Sequence, residues 1–366
     1  MNIAEETIGW LATEQLRVDE QWSYLLPTGF TWWPDQYSQT VEIVGEETGP
    51  DGETGYLVCV RTELLRDLDL TERALAEINA LPMRCAAMAG PVYDVAARRL
   101  DLWSLARVDE ANGPWMRFLL AAAAVTQIAE ARSLGPLLAD ATGALPATSD
   151  HPESGPRSVP DAMASAAGIF VRSGEAHCAW TDAEFEATVT RCMNRPPALR
   201  ASAAGRGFTV EFPFGETSSL CRVIGDQPHP LYGNGLLVLQ QFDLGDGADS
   251  ETEGITLALS LNAADLTREV SGYGFGSYAY SDGMIHFTGF IPNALHQPGL
   301  LAGIYFSCAA RAHAMARRFA HGSWDADAYS LDARVLARRQ QQQEQARPPV
   351  ERRGCPMMQA RAQEVQ

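Results

Sequence analysis

The feature that most constrains the fold of this chain is an internal correspondence. Residues 100–132 and 285–317 align without gaps at a constant offset of 185. Each segment starts with apolar residues at alternate positions, passes a Pro/Gly break and enters a long apolar stretch that ends in arginine. This pattern predicts strand, turn and amphipathic helix twice. The second helix has a predicted buried stripe of Leu301, Ile304, Tyr305, Cys308, Ala312, Met315 and Phe319.

The segments upstream of these two also correspond. Strands are predicted to begin at Gly29 and at Gly207. Gly- and Asp-rich stretches favour turns, and they predict two hairpins, formed by residues 40–44 with 56–61 and by residues 236–242 with 255–261. An Asp-Leu-Thr motif at Asp69 and at Asp265 is predicted to lead into a short helix, with Asn262 as an N-cap for the second one. The opening helices are predicted at residues 8–24 and 182–193.

These elements predict an α+β protein made of two copies of an α-β-β-β-α-β-β-α unit, each an antiparallel twisted sheet with helices packed on it. A length of 366 residues suits two domains. The predicted organisation is a first repeat at 1–137, a Pro/Ser/Gly-rich linker at 138–161, a second repeat at 162–323, and a helix with a disordered Arg/Gln tail at 324–366.

Charge and composition exclude several classes of function. The net charge is -18, which argues against nucleic acid as a partner because phosphates repel an acidic surface. The longest uncharged apolar run, residues 118–125, is far shorter than the roughly 20 residues that span a bilayer. With no signal peptide in the sequence, the expected location is the cytoplasm. The chain has no lysine, which excludes Schiff-base and P-loop lysine chemistry.

No motif predicts a catalytic residue, a metal site or a cofactor. The seven cysteines form no CxxC pair, and the seven histidines lack the spacing of a zinc site. The glycines at 272, 274 and 276 lie in the wrong context for a phosphate loop and are interpreted as a flexible turn. An enzyme would instead need a pocket in which His229, His286 or His296 meets a carboxylate.

Aromatic residues cluster near the amino terminus. Trp32, Trp33 and Tyr37 follow a segment that already holds Trp10 and Trp22. Adjacent residues of a strand face opposite sides of the sheet. One of the two adjacent tryptophans can therefore enter the core, whereas the other must be covered by a helix, by the second repeat or by a partner. Both a core role and a partner-binding role remain open for this cluster.

The second repeat resembles type III secretion chaperones and the YbjN family, in particular its actinobacterial branch. The residues that carry the likeness are Leu-Ala-Leu-Ser-Leu-Asn at 257–262, Gly-Ser-Tyr at 276–278, Asp-Gly-Met-Ile-His-Phe-Thr at 282–288, Phe-Ile-Pro-Asn-Ala-Leu at 290–295 and Arg-Ala at 311–312. They cover about 120 residues. The first repeat departs from this pattern, because residues 105–108 read Leu-Ala-Arg-Val where the second has Phe-Ile-Pro-Asn.

The resemblance implies a protein without catalytic residues that pairs with a second copy and holds segments of client proteins. The two repeats are expected to form that pair within one chain. The hypothesis is a chaperone or adaptor for a basic or amphipathic protein or peptide. Its candidate binding residues are Trp32, Trp33, Tyr37, Phe287, Phe290, Pro292 and Asn293. The alternative is an enzyme with a small-molecule site in the cleft between the repeats.

Overall fold

The computed structural model describes residues 2–48, 52–166, 180–193, 207–214, 217–243, 250–267, 270 and 272–319. Within these ranges the chain has six α-helices and two antiparallel sheets, which confirms the α+β class. The helices are α1 (Ile3–Trp10), α2 (Glu72–Arg84), α3 (Gly113–Thr142), α4 (Asp182–Met193), α5 (Glu251–Thr267) and α6 (Leu300–Phe319). The tail predicted at 324–366 lies outside the described residues.

The N-terminal sheet has the strand order β1-β2-β3-β4-β6-β5, and β7 pairs with β4. Its strands are β1 (Ser23–Leu26), β2 (Gly29–Trp32), β3 (Gln39–Thr48), β4 (Thr54–Arg66), β5 (Gly90–Asp94), β6 (Arg99–Val108) and β7 (Leu145–Pro146). The C-terminal sheet has the order β11-β12-β10-β9-β8. Its strands are β8 (Gly207–Phe214), β9 (Thr217–His229), β10 (Gly233–Asp243), β11 (Ser277–Ser281) and β12 (Met284–Pro292).

The long helices follow the predicted patterns. Helix α3 starts with Pro114 in its first turn, where no intrahelical donor is needed, and ends at Gly143, which has φ 77°. Helix α6 buries six of the seven predicted stripe residues, and Phe319 is partly buried. On the opposite side of α6, Phe306 is 59% exposed. The 3.6-residue period therefore identified the core face of this helix correctly.

The first helix is shorter than the predicted span of 8–24. A capping box formed by Asn2 and Glu5 starts it at Ile3. A π-helical turn, Leu11–Gln15, continues it, and Arg17 has φ 48°, a left-handed conformation that ends the helical path. Residues 23–26 then form β1.

The prediction for residues 255–267 is wrong. Residues 255–261 form the middle of α5 instead of a strand, and β10 pairs with β9 and β12. The Asp-Leu-Thr motif at Asp265 ends this helix, whereas its counterpart at Asp69 leads into α2. Asn262 is therefore no N-cap. Helix α5 packs against both sheets and α2, and a helix that is buried around its circumference carries no clean 3.6-residue signal.

The two sheets share one hydrophobic core. Buried side chains from both belong to a single contiguous cluster. At the junction, a Cβ on Gly90 would collide with Leu266 and Ser277, so β5 approaches the C-terminal half closely. The segment 138–161 lies against the N-terminal sheet: it completes α3, adds β7, and holds Arg157, which donates to the Trp33 carbonyl at 2.8 Å.

Candidate functional site

Strand β11 is an edge strand of the C-terminal sheet, and two asparagine side chains cover its outer edge. Asn79 of α2 accepts from the Tyr280 amide at 2.8 Å and donates to the Tyr280 carbonyl at 2.7 Å. Asn262 of α5 makes the same pair with Tyr278, at 2.7 and 3.1 Å. Because an exposed edge strand is a template for strand addition, this pairing closes the edge at the junction to a client strand.

A buried carboxyl group also lies at the junction. Glu130 of α3 is 2% exposed, and the Tyr232 hydroxyl donates to its Oε1 at 2.6 Å. Burial raises the pKa of Glu130 to about 7, and the hydrogen bond from Tyr232 opposes part of that increase. The pKa of Tyr232 is also raised, by burial and then by the neighbouring carboxylate. Near neutral pH, Glu130 is therefore divided between its charged and neutral forms.

His229 and Cys85 meet beside this carboxyl group, with Nε2 and Sγ 3.3 Å apart. Nε2 also lies 2.8 Å from the Ala86 carbonyl, and Nδ1 accepts from the Leu231 amide at 3.0 Å. Nε2 therefore carries the proton and Nδ1 has no free lone pair. Burial lowers the pKa of His229 to about 4 and raises that of Cys85 to about 11. In this arrangement the His229 ring has no free lone pair to accept a proton from the Cys85 thiol.

The other two histidines named by the enzyme hypothesis lie in the C-terminal half. His296 Nε2 contacts Glu184 Oε2 at 2.8 Å and ties α4 to the segment after β12. The imidazole of His296 also packs edge-on against Trp180. His286 Nε2 lies 3.0 Å from Ser281 Oγ and 3.2 Å from the Ser281 carbonyl, within the β11-β12 hairpin. His296 therefore does meet a carboxylate, that of Glu184, and this contact joins α4 to the segment after β12.

A groove of about 210 Å³ opens on the C-terminal sheet next to α2. Two cross-strand rows line it, Leu220–Gln241–His286 and Arg222–Leu239–Thr288. Met83 of α2, which is 45% exposed, forms one wall, and Ser281 and Asp282 form the end. The Thr288 hydroxyl donates to the Pro82 carbonyl at 3.0 Å and fixes α2 against the sheet. The N-terminal half thus contributes directly to this surface.

The groove combines apolar and charged groups. Arg222 and Asp282 are both exposed on its sides, and Arg222 forms no ion pair with any residue that the structure describes. Leucine and methionine side chains supply the apolar part of the lining. Such a surface can accept an amphipathic segment that presents apolar groups to the floor and charges to the sides.

The candidate residues of the amino-terminal aromatic cluster all lie inside the protein. Trp32 is 0% exposed and its Nε1 donates to Gln39 at 3.1 Å. Trp33 is covered from the other side, where its Nε1 donates to Ser149 at 3.0 Å. Tyr37 is buried against α3 near Gly135. The two tryptophans face opposite sides, and each side is covered by this chain.

The candidate residues of the last strand are buried as well. Phe287 lies under the Arg311 guanidinium, and Phe290 packs against the His229 ring at 4.5 Å. Pro292 ends β12. Asn293 follows, accepting from Trp180 Nε1 at 2.7 Å and donating to Asp226 at 2.9 Å. These side chains support the junction and the turn after β12, and of this set only Phe287 borders the groove.

Sequence reasoning missed the groove because it missed β9. Leu220 and Arg222 alternate with the buried Cys221 and Val223, and this period-two pattern was the available signal. The contribution of Met83 had no sequence signal, since it depends on how α2 packs against the other sheet.

Within the described residues, no three His, Cys, Asp or Glu side chains lie close enough together to bind a metal ion. The described helices are also too short or too polar to cross a membrane. No protein-family model, curated protein or solved structure matches the chain.

Proposed function

We propose that the protein is a non-enzymatic adaptor or chaperone-like binding protein, built from two related α+β units that pair within one chain. The strand orders support the duplication: β5-β6-β4-β3-β2 corresponds to β11-β12-β10-β9-β8. So do Gly29 and Gly207, which begin corresponding strands. A Cβ on either would collide with a carbonyl oxygen of the neighbouring strand, that of Val41 or that of Val223.

The observation that carries the binding proposal is the groove beside α2. It is open, it combines the apolar side chains of Met83, Leu220 and Leu239 with the charged Arg222 and Asp282, and both halves of the chain build it. An amphipathic protein segment is the proposed client, because a purely basic segment would meet Arg222. The acidic chain, with a net charge of -18, would still accelerate association with basic flanks of that segment. A cytoplasmic location is part of the proposal.

The test is affinity capture from the organism that encodes the protein, with quantitative mass spectrometry. Wild type is compared with Met83→Asp, which places a charge on the groove wall, and with Leu137→Asp as a control. Leu137 is 67% exposed on α3. The captured partner is then purified and its affinity measured by calorimetry.

The expected result is one partner that Leu137→Asp retains and that Met83→Asp binds at least tenfold more weakly, with both variants folded by circular dichroism. Equal binding of that partner by both variants would remove the groove as the binding surface. A wild-type chain that captures nothing would favour the enzyme alternative.

A further inference from the structure

Arg311 is a buried cation on α6. It is 2% exposed, and its guanidinium carbon lies 3.4 Å from the centroid of the Phe287 ring. Its Nε has no hydrogen-bond partner among the residues that the structure describes. Arginine keeps its charge in proteins, so this site cannot become neutral by releasing a proton.

Among the described residues, no carboxylate forms an ion pair with Arg311. Asp265 of α5 is already engaged, because its Oδ1 pairs with Arg318 at 3.0 Å and its Oδ2 accepts from Tyr278 at 2.7 Å. The Cys308 thiol, one turn earlier in α6, lines the same crevice as Arg311 and feels its charge. A buried charge that no opposite charge contacts directly costs several kcal/mol, so a negative charge in direct contact with the guanidinium is expected.

A small crevice lies beside the guanidinium. Arg311, Ser307 and Cys308 supply its polar lining, and Phe287 and Ile304 supply part of the apolar lining. The crevice has a volume of about 20 Å³, and a cavity needs about 10–15 Å³ to hold one water. The crevice therefore admits one water-sized or slightly larger particle.

The Ser307 hydroxyl adds a second donor. Its oxygen accepts from the Tyr273 amide at 3.0 Å, which leaves the hydroxyl proton free to point toward the crevice. A guanidinium and a hydroxyl that donate into a space of this size favour a monatomic anion over a carboxylate or phosphate, which would not fit.

We propose that the crevice beside Arg311 binds a single halide ion, chloride under ordinary conditions, as the counter-charge of the buried guanidinium. The ion would accept from Arg311 and from Ser307 and would tie α6 to the C-terminal sheet.

The first experiment measures urea unfolding in sodium chloride and in sodium isethionate at matched ionic strength. The isethionate anion is too large for the crevice. Above the dissociation constant, a tenfold rise in chloride should raise the folding equilibrium constant about tenfold, and isethionate should not. Arg311→Met should lose this dependence, whereas Arg84→Met should keep it, since the Arg84 side chain is 73% exposed.

A second measurement needs no variant and covers the case in which Arg311→Met fails to fold. The ³⁵Cl NMR line of a chloride solution should broaden when wild-type protein is added and narrow again when bromide displaces the ion. Equal stability in the two salts together with an unbroadened line would overturn the proposal. A thiolate absorbance near 240 nm at neutral pH that disappears in Cys308→Ser would also overturn the proposal. In that case the Cys308 thiolate would be the counter-charge of Arg311.

Discussion

Replacing Glu130 by glutamine should stabilise the protein at pH 8 and change its stability little at pH 5. The side chain is buried at the junction, and the Tyr232 hydroxyl donates to it at 2.6 Å. Glutamine keeps an oxygen in the same place to accept that hydrogen bond, but it never ionises. The substitution thus removes the cost of a buried negative charge while preserving the size of the side chain.

The magnitude follows from the pKa of Glu130, which burial raises from an ordinary 4.5 to about 7. A group whose pKa is higher in the folded protein contributes stability that is complete below pH 4.5 and is lost as the pH rises through 7. With about 1.4 kcal/mol for each pKa unit, the wild type loses about 2–3 kcal/mol of unfolding free energy from this group between pH 5 and pH 8. The glutamine variant should lose none of it.

The other titratable groups around Glu130 do not titrate in the folded protein between pH 5 and pH 8. The pKa of His229 is lowered to about 4, that of Cys85 is raised to about 11, and that of Tyr232 is raised well above its ordinary range. In the folded protein none of the three therefore changes charge between pH 5 and pH 8, and the titration of His229 in the unfolded chain is the same in wild type and variant. The difference between wild type and Glu130→Gln isolates the titration of a single carboxyl group.

The assay is urea unfolding followed by tryptophan fluorescence at pH 5 and pH 8. Glu110→Gln serves as the control, since Glu110 is exposed in the loop before α3. The stability difference between Glu130→Gln and wild type should grow by about 2–3 kcal/mol from pH 5 to pH 8, and that of the control should not. Equal differences at the two pH values would refute the assignment of a buried ionising carboxyl at this position.

Two further substitutions test the packing. Ile304→Asp should abolish cooperative unfolding of the C-terminal half, because Ile304 is 4% exposed and a buried unpaired charge costs several kcal/mol. Phe306→Asp, on the exposed side of α6, is the control. If the two variants gave similar thermal melts, the assignment of the buried face of α6 would be wrong. Asn79→Ala should cost about 1–3 kcal/mol in urea unfolding by leaving the Tyr280 amide and carbonyl without partners, and an unchanged midpoint would show that water replaces them.

Elements whose pattern depends on one buried face were predictable from the sequence. The stripe of α6 repeats every three and four residues because this helix covers one sheet and exposes its other side. The hairpin of β3 and β4 was recognised from its Gly- and Asp-rich turn and apolar strands, and the structure pairs these strands antiparallel. In both cases local pattern and tertiary environment agree.

The aromatic cluster shows what the local sequence pattern cannot predict. The alternation of a strand predicted Trp32 and Trp33 on opposite faces; in the structure β2 ends at Trp32, and the two indoles donate to different partners, Gln39 and Ser149. The sequence could not show what covers Trp33, because Ser149 and Arg157 reach it from more than 100 positions along the chain. Whether an aromatic side chain is core or surface depends on such distant segments.

Helix α5, whose residues 255–261 were wrongly predicted to form a strand, lies at the junction of the two sheets. Its leucines at every second position look like a strand, and only its burial between two sheets and α2 makes the helix stable there. The same position lets Asn262 reach the edge of β11, while Asn79 of α2 reaches the next residue pair along that edge. Because the two helices use their polar side chains to close this edge, a client strand cannot add there. Among the described residues, the groove beside Met83 is a surface that stays open at the junction, and the binding proposal rests on it.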